Sequence, residues 1–237
     1  MDFTRSTVIN NIPSKKLDDI LEAIKENNTT PESKNVRIIA TNRYAESNIP
    51  IEYWDLSMNK DFIGDPRLKT KYDEYVANIR NSFITGKSVC FAGAHGVGKT
   101  ISTCCILKKA VLKGYSALYT TLSDIIAVLT QASNEEKFIA RRELVMCNFI
   151  AIDEIDPRFI ATDNASDLFA RNLEGIFRTR SQNKLPTIMC TNSPNIVESF
   201  NGQLKASLTS LFNGYMEMFP VFGNDFRKKE VKSTTPP

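Results

Sequence analysis

The stretch Gly93-Ala94-His95-Gly96-Val97-Gly98-Lys99-Thr100 fits the pattern G-x-x-x-x-G-K-[ST] at every fixed position. Glycines at this spacing let successive backbone N–H groups turn inward as an anion nest. A helix starting there adds the positive end of its dipole. In that frame the Lys99 ammonium reaches the β- and γ-phosphates of a nucleoside triphosphate, and the Thr100 hydroxyl ligates Mg²⁺. The expected nucleotide-binding set is Gly93, Ala94, His95, Gly96, Val97, Gly98, Lys99, Thr100 and Ile101. The bland alternative is a chance glycine-rich turn. The flanks speak against it, because Ser88–Ala92 reads as a short buried strand and Ile101–Leu112 as a helix.

A second chemical stretch is Phe149-Ile150-Ala151-Ile152-Asp153-Glu154, an apolar strand ending in two carboxylates, as a Walker B segment does. Asp153 would hold the Mg²⁺ through water. Glu154 would orient and deprotonate the attacking water. Neighbouring strand residues face opposite sides, so the two can do different work. An ordinary Asp-Glu turn is the alternative reading, and Asp156 belongs to the turn that follows. A third strand, Pro186–Asn192, also ends in polar residues. In P-loop ATPases with a catalytic glutamate, such a strand lies between the other two. Asn192 fits the sensor of γ-phosphate or water, with Thr191 as the weaker candidate; an N-cap role for Asn192 is compatible with this. Glu154, Lys99 and Asn192 are thus the expected catalytic residues.

The elements that must position these groups follow from periodicity. Leu68, Tyr72, Tyr75, Val76, Ile79 and Phe83 form one helical stripe before the P-loop strand. Tyr115–Thr120 reads as a strand after Gly114, and Ser123 as the cap of the next helix. Leu168, Phe169, Leu173, Ile176 and Phe177 define a helix over 164–182, and Leu204–Tyr215 another before a last strand, Phe219–Phe222. Residues 36–66 read as irregular, with Tyr53 and Trp54 as a packing anchor in preference to a base-stacking platform.

Gln131–Glu143 is polar and carries Lys137, Phe138, Arg141 and Arg142. A solvated face and a DNA contact both fit this stretch. At the N-terminus, Leu17, Ile20, Leu21 and Ile24 repeat at helical spacing behind Ser14, followed by a linker over 27–33. That stripe docks on the chain's own domain or on a partner protein. The expected layout is an N-terminal helical arm and linker over 1–35, an ATPase domain over 36–229, and a disordered tail over 230–237.

Bulk properties narrow the class. The net charge of +3 is too small to imply nucleic-acid binding by itself. No apolar run approaches a membrane span and no signal-peptide core is visible, so a membrane location is not expected. The five cysteines show no C-x-x-C spacing, which fits buried free thiols in a reducing cytoplasm better than zinc or disulfides.

In this order the motifs resemble the AAA+ ATPases, and within them the DnaC/DnaI helicase loaders and IstB transposition ATPases. The resemblance extends over roughly 43–229. It rests also on Arg43-Tyr44 with Asn48-Ile49-Pro50, on Tyr72–Asn78, and on Phe222-Gly223-Asn224-Asp225-Phe226-Arg227, similar to a G-x-[SD]-[YF]-R ending. It implies an α/β three-layer αβα P-loop domain with a parallel sheet of order 5-1-4-3-2, strands numbered along the chain, and no room for a C-terminal lid domain. It further implies a slow, DNA- or partner-stimulated ATPase that binds a hexameric replicative DNA helicase and single-stranded DNA in DNA replication. The N-terminal helix would supply the helicase contact. An IstB-like helper of DNA transposition and a nucleotide-dependent interaction module with little turnover are the rivals.

Two features depart from the loader pattern. The segment Gln203–Phe212 lacks the arginine that reaches into a neighbour's active site, leaving Lys205, Arg178 or Arg180 as trans-acting candidates and Arg227 as a sensor candidate. The N-terminal element carries no zinc ligands. Completion of a site by a neighbour demands head-to-tail self-association, which propagates as a ring or a helix.

Overall fold

The computed structural model describes residues 31–156, 164–193, 196 and 202–226. The Ser14–Ile24 stripe, Arg227 and the tail over 230–237 lie outside the described residues, as does the side chain of Lys205.

Five parallel strands make the sheet: β1 (Ser88–Gly93), β2 (Ala117–Thr121), β3 (Phe149–Ile155), β4 (Thr187–Thr191) and β5 (Met216–Val221). Their order across the sheet, β2-β3-β4-β1-β5, is the expected 5-1-4-3-2 read from the other side. Among the described residues eight α-helices connect and cover them: α1 (Pro31–Glu46), α2 (Pro66–Ala77), α3 (Ile79–Thr85), α4 (Lys99–Leu112), α5 (Leu122–Gln131), α6 (Asn134–Met146), α7 (Asn164–Gln182) and α8 (Gly202–Tyr215).

The central strands are near-continuous apolar runs because both faces are covered. Alternation along them separates two cores. Val89, Phe91, Phe149, Ala151, Ile188 and Cys190 pack with Tyr44, Tyr72, Tyr75, Ile106 and Leu107 on one face. Cys90, Ile150, Ile152 and Met189 pack with Leu122, Ile125, Leu144, Leu173, Ile176 and Phe212 on the other. Each fully buried side chain of this size contributes roughly 1.5–3 kcal/mol. The three-layer domain follows: α1, α2 and α4 cover one face, and α5 to α8 the other.

Three local readings are corrected. Residues 36–46 and the end of the supposed linker are helical, in α1. Pro31 sits at the start, where its missing N–H costs nothing, and Tyr44 is buried edge-on against Trp54, ring centroids 6.3 Å apart. The single helix expected over 66–83 is broken at Asn78, which leaves helical geometry at φ −106°, ψ 25° while its side chain donates to the Glu74 carbonyl at 3.1 Å. The cap of α5 is Thr121, not Ser123: Thr121 and Asp124 satisfy each other's backbone N–H in a capping box. The polar stretch 131–143 is mostly α6, opened by the same device between Ser133 and Glu136.

Trp54 is the packing anchor expected, donating its indole N–H to the Ile49 carbonyl at 2.8 Å. The chain just before it lies along the outer edge of β2, where the Tyr119 N–H donates to the Ser47 carbonyl at 2.8 Å. No described helix is long and apolar enough to cross a membrane.

Candidate functional site

β1 delivers the chain to Gly93, and α4 takes it up again at Lys99. The turn between them needs left-handed backbone at Gly96 (φ 75°) and Gly98 (φ 97°). Gly96 is doubly constrained, because a Cβ there would fall on the Asp225 carboxylate. The Phe226 N–H donates to the Gly96 carbonyl at 3.2 Å, so the segment after β5 folds back on the loop. Lys99 is buried, with its ammonium donating to the carbonyls of Gly93 (2.8 Å) and Ala94 (2.6 Å) and to Asn192 Oδ1 (2.9 Å). Lysine and sensor candidate, far apart in sequence, are in direct contact because β4 lies beside β1.

At the end of β3, Asp153 is buried and Glu154 exposed, and both line one cavity where strand alternation alone would part them. Glu154 adopts φ 52°, unusual for a non-glycine residue. The register against β4 slips between Ile152 and Ile155, a bulge that re-aims the side chain at this point. Asp153 accepts the Glu154 N–H at 2.7 Å and the Tyr119 hydroxyl at 2.9 Å. Burial, and then the Asp153 charge, hold the Tyr119 hydroxyl far above its ordinary range, so it stays a donor. The buried Thr191 hydroxyl donates to the Ile155 carbonyl at 2.7 Å and accepts the Ser193 N–H at 3.1 Å, tying the ends of β3 and β4.

These groups line a cavity of about 330 Å³. Its polar lining includes Asp61, His95, Lys99, Thr100, Asp153, Glu154 and Asn192, and its apolar lining Tyr53, Leu56, Phe62, Ile63, Ile101 and Phe226. The lining offers charged and polar groups to a triphosphate and apolar surface to a nucleoside. Burial raises the Tyr53 hydroxyl pKa, so that side chain presents a neutral face. Sequence reasoning missed most of the apolar wall, whose residues have no spacing signal; Phe226 was visible only within the terminal motif.

Among the described residues no cluster of three or more His, Cys, Asp or Glu could hold a metal alone. Mg²⁺ bound chiefly through phosphates asks for less, one or two oxygen ligands from the protein. The Thr100 hydroxyl and the Asp153 carboxylate, which line the same cavity, meet that need.

Outside the cavity the basic candidates divide. Arg180 is corrected: it is fully buried and donates to the carbonyls of Leu144 (2.9 Å), Cys147 (3.0 Å) and Pro186 (2.8 Å) and to Thr187 Oγ1 (3.0 Å). It binds the end of α6 to the start of β4 and cannot reach a neighbour. Arg178 is exposed and paired with Glu174 at 2.7 Å on its own helix. On α6, Phe138 is 69% exposed and Arg142 is exposed one turn on, while Lys137 is half-buried. Arg141 is half-buried and donates to Asn172 Oδ1 at 3.0 Å.

No curated protein matches the sequence. Among solved structures, the fold is similar to that of DnaI, with a TM-score of 0.58 at 18% identity over 75% of this chain and 93% of that one. It is similar to the DnaC helicase loader, with a TM-score of 0.54 at 16% identity over 73% and 100%. The replication initiator DnaA bound to AMPPCP and single-stranded DNA gives 0.58 at 15% identity over 74% of this chain, which spans 51% of that protein. At these identities the likeness is one of fold. The model of the IstB-like ATP binding proteins matches residues 57–192, a span that takes in Phe62, Ile63, the P-loop, Asp153-Glu154 and Asn192. The chain therefore belongs to the IstB-like ATP binding proteins, ATPases of the AAA+ P-loop type.

Proposed function

We propose that the protein is an ATP-regulated loader of a hexameric replicative helicase, acting with single-stranded DNA in the cytoplasm. The observation that carries the chemistry is the convergence of Lys99, Asp153, Glu154 and Asn192, from the ends of three adjacent strands, on one cavity. Lys99 and the loop amides hold the phosphates. Glu154 orients the attacking water and takes its proton, and Asn192 holds Lys99 and the γ-phosphate in line. When bound, Mg²⁺ would neutralise charge developing on the phosphate oxygens. Thr100 and Asp153 are the residues that would hold it.

The arm before α1 would dock the helicase, and the Phe138–Arg142 face of α6 would meet DNA. Assembly would be head-to-tail. With Arg180 committed to the core, Arg178 and Lys205 are the basic residues left to act in trans. The likeness in fold to DnaI and to the DnaC helicase loader supports this reading.

The test is capture of candidate replicative helicases by the full chain and by a chain lacking residues 1–35, in ATP and in ADP. Retention by the full chain and loss on truncation is the expected result. The family match favours a second reading, a transposition helper acting on duplex DNA. Coating of duplex DNA in ATP without helicase capture would select it. A third reading, an interaction module without turnover, fails if DNA-stimulated ATP hydrolysis occurs and Glu154→Gln abolishes it.

A further inference from the structure

Lys108 lies on α4, nine positions after the P-loop lysine, and its side chain is buried. Its ammonium donates to three backbone carbonyls: Tyr53 (2.7 Å), Trp54 (3.1 Å) and Leu56. An ammonium has three N–H donors, and here each has one acceptor. The Tyr44 ring stands 5.8 Å from the same nitrogen. The carbonyls belong to the end of a 3₁₀ turn (Ile51–Tyr53) and the residues after it, where helical geometry leaves acceptors without partners.

Two further side chains in the same row of α4 reach the same segment. The Cys105 thiol donates to the Leu56 carbonyl at 3.6 Å, and the Ser102 hydroxyl to Met58 Sδ at 3.4 Å. The side chains of Tyr53 and Leu56 form part of the apolar wall of the cavity. One helix therefore carries Lys99 of the phosphate loop in its first turn and, between two and three turns later, holds the segment that supplies Tyr53 and Leu56 to the cavity lining. The two points are about 13 Å apart along the axis.

We infer that Lys108 is a positioning residue for the nucleoside half of the bound triphosphate. It acts through the carbonyls of Tyr53, Trp54 and Leu56, setting how far the wall stands from the phosphate cradle. This deepens the nucleotide-site reading and rests on it.

The experiment measures affinity of the full chain for Mg-ATP and for Mg-tripolyphosphate, in wild type, Lys108→Met and Lys108→Arg, with thermal midpoints alongside. Tripolyphosphate reports the phosphate cradle alone. Lys108→Met is expected to weaken ATP about tenfold and to leave tripolyphosphate unchanged. Lys108→Arg, whose planar fork does not reproduce a three-carbonyl tripod, is expected to weaken ATP severalfold with the same selectivity. If Lys108→Met does not fold, the arginine variant alone decides. An unchanged ratio of the two affinities, whatever happens to the midpoint, overturns the inference and leaves Lys108 a structural residue. Failure of the wild type to bind either ligand overturns the nucleotide reading, and this inference with it.

Discussion

Glu154 combines an expected catalytic role with a backbone conformation that costs of order 1–3 kcal/mol for a residue of its type. The bulge in β3 sustains that strain, and the return is a carboxylate facing the cavity beside a buried Asp153. Glu154→Gln should retain ATP and lose at least about a hundredfold in turnover, read by phosphate release against nucleotide binding. Glu154→Asn, better suited to left-handed backbone, should also lose turnover. It should raise the thermal midpoint by about 2–4 °C, since about 1 kcal/mol of strain is relieved in a domain of this size. A midpoint that falls instead would remove the strain argument. Asp65 offers a second residue-scale test. It caps α2 by accepting the Arg67 N–H at 3.0 Å, binds the Arg67 guanidinium, and takes the Phe222 N–H at 3.2 Å. The Arg67 hydrogen bonds hold its carboxyl down from 3.8 to about 2. The folded state therefore binds fewer protons than the unfolded chain, and the Asp65 contribution is complete above about pH 4. It drains away as the pH falls toward 2. Asp65→Ala should cost about 1–2 kcal/mol at neutral pH and flatten the loss of stability in that acid window. Denaturant unfolding at pH 7 and pH 3 measures both.

Arg180 shows how an element can be held by a group whose residue type suggests something else. Its guanidinium unites α6, α7 and the start of β4 through carbonyls and the Thr187 hydroxyl. Burial lowers its pKa, with the neighbouring Cys147 thiol partly opposing the shift. Arg180→Met would leave those acceptors buried without donors, and should cost more than about 3 kcal/mol in denaturant unfolding while the cavity stays intact. In sequence, Arg178 and Arg180 looked alike; only the layering separates the exposed one from the buried one. The strands and the P-loop were legible because their signals are contiguous: apolar runs, glycines and Asp153-Glu154. Asn192 was legible through its place at a strand end. The wall of Tyr53, Leu56, Phe62 and Ile63 was not, since ordinary apolar residues acquire a role only when α4 draws their segment over the loop. Helix α1 was missed for a related reason: Ile39 points to solvent, and Tyr44 has its partner, Trp54, beyond the helix.

For the whole molecule, nucleotide binding and stability are one equilibrium. Mg-ATP at a hundredfold excess over its dissociation constant should stabilise the chain by about 2.7 kcal/mol. That raises the thermal midpoint by roughly 5–10 °C. Lys99→Ala should abolish the rise, because Lys99 joins the loop to Asn192 and to the phosphates. A shift that persists in this variant would place binding elsewhere. The outline of the sheet limits how copies can meet. On one margin, the backbone of Ser47 occupies the middle of β2 through Tyr119. On the other, β5 carries Pro220, which has no N–H to offer, and Glu217, whose carboxylate is engaged by Lys71. Both margins thus carry devices that discourage pairing with a further strand, and a sheet guarded in this way disfavours growth from one copy to the next by backbone pairing.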